Sequence, residues 1–166
     1  MKKKFLIALS MLVCMSAFSL VLTACGGNDD DPIKDITMTQ EFVVKGEITS
    51  QSGNYANGEA GLNDPNTKEF ALYKAIYDEV KEIIKPQVWT ISFKASEKSE
   101  KIKEQNNIAE QKFSAMFNAL KAVQTKLNNV NKDEYKCNFD ITIQMVATGE
   151  GDIRKGEMTL KYQGNE

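Results

Sequence analysis

The chain has no histidine. That absence removes the side chain that titrates nearest neutrality, and with it the usual general base, the usual member of a catalytic triad and the commonest metal ligand. Motifs that would supply a nucleophile by another route are missing as well, since neither Ser-x-x-Lys nor Gly-x-Ser-x-Gly occurs. Basic residues do not outnumber acidic ones, at 21 against 23. Such a chain has no electrostatic footprint for nucleic acid. Its 166 residues leave room for one domain and not for two well-filled ones.

What is present begins with a segment that has to be set aside before any fold reasoning. Lys2, Lys3 and Lys4 give a positive start, and residues 5–22 form an apolar run broken only by Ser10, Ser16 and Ser19. This is the layout of a cleavable secretory signal rather than of a permanent transmembrane helix. The run closes on Leu22-Thr23-Ala24-Cys25, an aliphatic residue, two small ones and a cysteine, which resembles the lipobox of bacterial lipoprotein precursors. The resemblance covers only the first 25 residues. It implies cleavage before Cys25 and acylation of that cysteine, so that the mature protein is anchored to a membrane without spanning it.

Residues 25–35 then read as an acidic, flexible tether with too little apolar surface to fold. Asp29, Asp30 and Asp31 resemble the acidic export signal that follows the cysteine in surface lipoproteins of some Gram-negative bacteria, which favours the outer membrane, with the cell surface preferred to the periplasmic face. A calcium site is not expected there, because the run lacks the turn glycine and the distal glutamate of a calcium loop. Loss of residues 1–24 takes three lysines and no acid, which leaves the mature chain at a net charge of −5. Cys14 leaves with the signal and Cys25 is acylated, so Cys137 is alone and no intramolecular disulfide is possible.

Residues 36–166 read as a single α+β domain. Ile36, Met38, Phe42, Val44 and Ile48 alternate with Thr37, Thr39, Glu41, Lys45 and Glu47, a long amphipathic first strand. Phe70, Tyr73, Ile76, Tyr77, Val80, Ile83 and Ile84 recur at helical spacing, opened by Asp64-Pro65 or by an Asn66/Glu69 capping box and stopped by Pro86. Trp89, Ile91 and Phe93 mark a short second strand. A long charged helix follows, capped near Ser96 or Ser99, with Ile102, Ala109, Phe113, Met116, Phe117, Leu120, Val123 and Leu127 on its buried stripe. Cys137 to Ala147 alternates without a fault, and Met158, Leu160 and Tyr162 repeat the pattern after a glycine-rich turn. The expected architecture is a two-layer sandwich in the order β-α-β-α-β-β, with two helices packed on one face of a four-stranded mixed sheet.

Chemistry is hard to place on this frame. Cys137 belongs to the apolar face of its strand and reads as a small core residue. Asp78, Glu79 and Glu82 lie on the polar side of the first helix, and Glu97/Lys101 and Glu100/Lys103 are spaced as ordinary surface pairs of the second. Gly149-Glu150-Gly151 reads as a hairpin turn, and the single Trp89 as core. No catalytic residue, metal ligand or cofactor site is expected.

If each helix crosses back over the sheet, the first three strands are parallel, and the segments 50–66, 94–99 and 148–155 gather at one edge. The first is long and aperiodic, as functional loops are. Tyr55, Asn57, Glu59, Asp64, Glu150, Asp152 and Arg154 are the candidate binding residues there. The functional expectation is a non-catalytic binding or interaction module with an envelope or extracellular protein or glycan as partner. An inhibitor or immunity-type envelope lipoprotein is the alternative, followed by a carboxylate-dependent envelope hydrolase.

Overall fold

A computed structural model of the chain describes residues 35–55, 64–151 and 153–165. The signal, the lipobox with Cys25 and the stretch 25–34 of the tether lie outside the described residues. The described residues belong to a compact unit spanning Asp35–Glu166. Along it run β1 (Thr37–Tyr55), α1 (Lys68–Ile83), β2 (Gln87–Lys94), a 3-10 turn (Ala95–Glu97), α2 (Lys98–Asn128), β3 (Cys137–Thr148) and β4 (Ile153–Gln163).

β1 is the spine of the sheet. Its alternation places Phe42 and Val44 in the core, and at Ile48/Ser50 the register with β3 shifts by a bulge. A bulge inserts one residue and so exchanges the faces of everything after it. Gln51 therefore pairs with Ile141 and turns toward the helices, where its amide bonds the Tyr73 and Tyr77 hydroxyls, while Ser52 bonds the Asp140 carboxylate at 2.5 Å. This is why the apolar pattern stops at Ile48 while the strand runs on to Tyr55. The alternation is intact but out of phase, in residues with little apolar surface.

α1 opens at Thr67, whose hydroxyl accepts from the Phe70 N–H at 3.2 Å, while Asp64 holds the preceding turn through the Asn66 N–H at 2.9 Å. The helix buries Ile76 and Val80 and is capped at Ile84. Only Ile84, Lys85 and Pro86 separate it from β2, and the chain does not turn back there. Helix and strand run in line down β1. Gln51 meets Tyr77, the Ile84 carbonyl accepts from the Gly46 N–H at 3.1 Å, Gln87 pairs with Val44, and Lys94 pairs with Thr37.

The mixed sheet expected from sequence is therefore corrected. The strand order is β2-β1-β3-β4 and every neighbouring pair is antiparallel. The expectation assumed that β2 turns back after α1, whereas the chain runs on from α1 into β2 in one direction, antiparallel to β1. The α+β class stands. α2 does cross back, so β2 and β3, which flank β1, run the same way.

Both helices cover the face formed by Cys137, Phe139, Ile141, Ile143, Met145 and Ala147 of β3, together with Leu160 and Tyr162 of β4. Leu120, Leu127, Ile141, Ile143, Met145 and Leu160 are fully buried, each burial stabilising by about 1.5–3 kcal/mol. α2 lies along β4. Its Glu110 pairs with Arg154 and its Gln124 with the backbone of Lys161. The opposite face of the sheet is polar, with Glu47, Gln144 and Glu157 in one cross-strand row and Lys45 and Lys155 flanking Val146 in the next.

Candidate functional site

The strand directions divide the residues singled out from sequence. Tyr55 ends β1 opposite Cys137, the first residue of β3, whereas Glu150 and Arg154 follow the last, Thr148, about 35 Å away along a strand of this length. Asp64 lies at the Tyr55 end, because Lys68 at the start of α1 pairs with Glu134 just before β3. Asn57, Glu59 and Asp152 lie outside the described residues. Segments 94–99 and 148–155 do meet, through a Lys98–Glu150 ion pair of 2.5 Å. The crevice between α2 and the β3–β4 turn, lined by Asn106, Glu110, Gly149 and Arg154 among others, holds about 30 Å³. That is room for ordered water and not for an organic ligand.

The titratable groups are held in structural roles. Asp78, Glu79 and Glu82 each receive a lysine, from Lys74, Lys126 and Lys85. On α2 the expected Glu97/Lys101 and Glu100/Lys103 pairs are replaced, since Glu97 accepts from the Lys94 N–H at 3.3 Å and Lys101 reaches Glu104 at 3.4 Å. Glu97 belongs to the 3-10 turn before the helix and is spent on its own turn. Hydrogen bonding from Ser96 holds Asp35 below the usual carboxylate range. Cys137 is buried, and that burial pushes its thiol up to about 11, so it stays protonated and a poor nucleophile at neutral pH. Burial likewise pushes the Tyr162 hydroxyl to about 12, and this hydroxyl has no hydrogen-bond partner. Among the described residues no group of three or more Cys, Asp or Glu is placed to hold a metal ion. Trp89 stacks on Phe42 and donates its indole N–H to Gln105 at 2.9 Å, a core role.

The feature that stands out lies on an edge that sequence reasoning did not single out. β4 ends the sheet, and among the described residues its outward backbone groups are closed at one position only. There the Gln124 side-chain amide accepts from the Lys161 N–H at 2.8 Å and donates to the Lys161 carbonyl at 2.9 Å, as a neighbouring strand would. Backbone groups in a strand alternate sides, and the β3–β4 register is regular throughout, so Lys155, Glu157 and Thr159 point outward too. Among the described residues nothing pairs with them.

Beside these groups Gly156 leaves out a side chain on the helix face. A Cβ at Gly156 would stand 3.1 Å from the Phe113 ring and 3.5 Å from the Met145 methyl. The space between α2 and β4 is a groove of about 360 Å³, floored by Phe113, Phe117 and Met145 and rimmed by Ser114, Asn118 and Arg154. A second groove of about 450 Å³, along Gln144, Val146 and Glu157, meets it at Lys155 and Gly156 on the open face. The rim is cationic. Lys121 lies over Phe117 and Arg154, paired with Glu110, lies over Phe113, while Lys155 and Lys161 project from β4 on the open face, beside Glu157.

One signal in the sequence pointed here. A glycine inside an otherwise regular strand, as in Arg154-Lys155-Gly156-Glu157-Met158, marks a close backbone approach. The role of Gln124 had no such signal, because a glutamine on a helix face says nothing of the strand beside it.

No family model matches the chain, and no curated protein or solved structure matches it either. Among the described residues no helix is long and apolar enough to cross a membrane.

Proposed function

We propose that this chain is a lipid-anchored envelope lipoprotein whose folded domain is a non-catalytic binding module. The anchor reading rests on the resemblance of Leu22-Thr23-Ala24-Cys25 to a lipobox, and the resemblance of Asp29 to Asp31 to an acidic export signal favours the outer membrane, with the cell surface preferred to the periplasmic face. The binding reading rests on one observation, the apolar groove beside Gly156 at the free edge of β4. Its chemistry suits recognition: apolar floor, cationic rim, unpaired backbone groups and no nucleophile or acid pair aimed into it. The partner is an envelope or extracellular protein or glycan, and not a nucleic acid.

The two halves of the proposal are tested separately. Cys25→Ala is expected to abolish palmitate labelling and detergent-phase partitioning, and a variant that still partitions with detergent refutes the anchor. A photo-crosslinking residue placed at Lys155 is expected to give adducts in intact host cells, while one at Thr142 on the open face gives none. Adducts at Thr142 alone would move the site off the edge. Protease shaving of intact cells decides the leaflet.

A further inference from the structure

The ligand class follows from the backbone as well as from the groove. Lys155, Glu157 and Thr159 present a repeating row of N–H and C=O groups, spaced about 6.7 Å apart. A globular surface or a sugar chain does not match that repeat. An extended polypeptide does, because its own backbone groups recur at the same interval. Gln124 indicates the same thing from inside the molecule, since its amide already plays the part of a neighbouring strand at Lys161.

An added strand also alternates its side chains, so every second one enters the space between β4 and α2. Beside Gly156 the Phe113 ring closes over the strand, and the groove runs past it along the partly exposed Phe117, which suits one aliphatic or aromatic side chain. The charges around it select the flanks. With Arg154 and Glu110 paired to each other, Lys121, Lys155 and Lys161 stand against Glu157 and Asp140, which lies opposite Lys161, an excess of one positive charge along this edge although the chain as a whole is acidic.

We propose that the groove between α2 and the free edge of β4 takes an extended, acidic and apolar segment of another protein as a fifth strand. Its backbone pairs with Lys155, Glu157 and Thr159, and one apolar side chain seats beside Gly156 against Phe117 and the edge of Phe113. This rests on the binding-module reading and names the class of its ligand.

The test is to pan the full chain against a displayed library of random heptapeptides and to follow the selected peptide by amide hydrogen exchange. The expected result is enrichment of sequences with acids flanking an apolar residue, and protection of the Lys155, Glu157 and Thr159 amides on binding. Glu157→Pro removes one outward N–H and no bond to β3, and is expected to weaken binding at least tenfold. Phe117→Ser removes part of the floor and is expected to do the same. Ser92→Pro, at the corresponding position on the opposite edge strand, should leave binding unchanged. Peptides that protect Val88, Thr90 and Ser92 instead, or that bind Glu157→Pro as tightly as the unaltered chain, overturn the strand-addition proposal while leaving a binding module in place. Self-association that protects the β4 amides before peptide is added assigns the edge to a second copy and overturns it too. No enrichment, together with no crosslink at Lys155 in cells, removes both readings.

Discussion

The two edge strands of this sheet solve one problem differently. An edge presents backbone groups that any other chain can pair with, so folded proteins cover or crowd it. On β2 the Ala95 N–H reaches the Ile36 carbonyl, which fixes the alternation and turns Val88, Thr90 and Ser92 outward. The helix side of that edge is filled. Trp89 stacks on Phe42 with ring centroids 5.6 Å apart, Gln105 takes its indole N–H, and Lys112 lies over its ring and bonds Gln87. On β4 the matching place is Gly156, which carries no side chain; the Phe113 ring closes over it, and the groove beside them along Phe117 stays open. One edge is crowded and the other is grooved, and the difference lies in a tryptophan against a glycine.

The comparison breaks first at Trp89. Trp89→Ala empties the crowded edge and is expected to cost about 3 kcal/mol in denaturant unfolding, whereas Phe117→Ala, a smaller ring with one side on the groove, should cost about 1–2 kcal/mol. Equal losses would mean that the groove floor is core. Filling the glycine comes next. Gly156→Val forces the Phe113 ring aside and is expected to destabilise by about 1–2 kcal/mol, with the groove lost. A variant of unchanged stability that still binds peptide would show that the notch is not what Gly156 provides.

Smaller effects sharpen the contrast. Gln124→Leu releases both Lys161 backbone groups to water and should cost about 1 kcal/mol, while the Lys161 amide begins to exchange as fast as its outward neighbours. Tyr162→Phe removes a buried hydroxyl that has no partner, so stability should hold or rise by up to about 1 kcal/mol. Alkaline titration gives the last check. Cys137 and Tyr162 have folded pKa values raised by burial from 9.0 to about 11 and from 10.0 to about 12. Below pH 9 both states hold these protons and stability does not depend on them. As pH rises from about 9 to 12 the unfolded chain ionises first and stability falls. Tyr162→Phe should flatten the upper part of that fall, and an unchanged curve would mean that the hydroxyl is not buried.

Legibility in the sequence follows what each feature depends on. The elements were readable where side chains alternate against one core, as in β3, whose burial alternates along its whole length. Strand direction was not, because it depends on whether α1 turns back at Ile84-Lys85-Pro86 or runs on into β2, and no residue in that link states which. The error propagated to the site. With β1 reversed, Tyr55 and Asp64 lie at one end of the sheet and Glu150 and Arg154 at the other. The bulge after Ile48 hid the last third of β1 by exchanging its faces where the residues are polar and small. The groove was half legible. Gly156 was visible as a misfit in its strand, but Phe113 and Phe117 join it only once α2 is known to lie along β4.

The most direct measurement is amide hydrogen exchange of the unliganded chain along β4, read residue by residue. An open edge predicts alternation: Lys155, Glu157 and Thr159 exchange fast, while Gly156, Met158 and Leu160, bonded into β3, and Lys161, held by Gln124, are protected. Uniform protection from Lys155 to Lys161 would show the edge already occupied and would contradict a groove waiting for a strand.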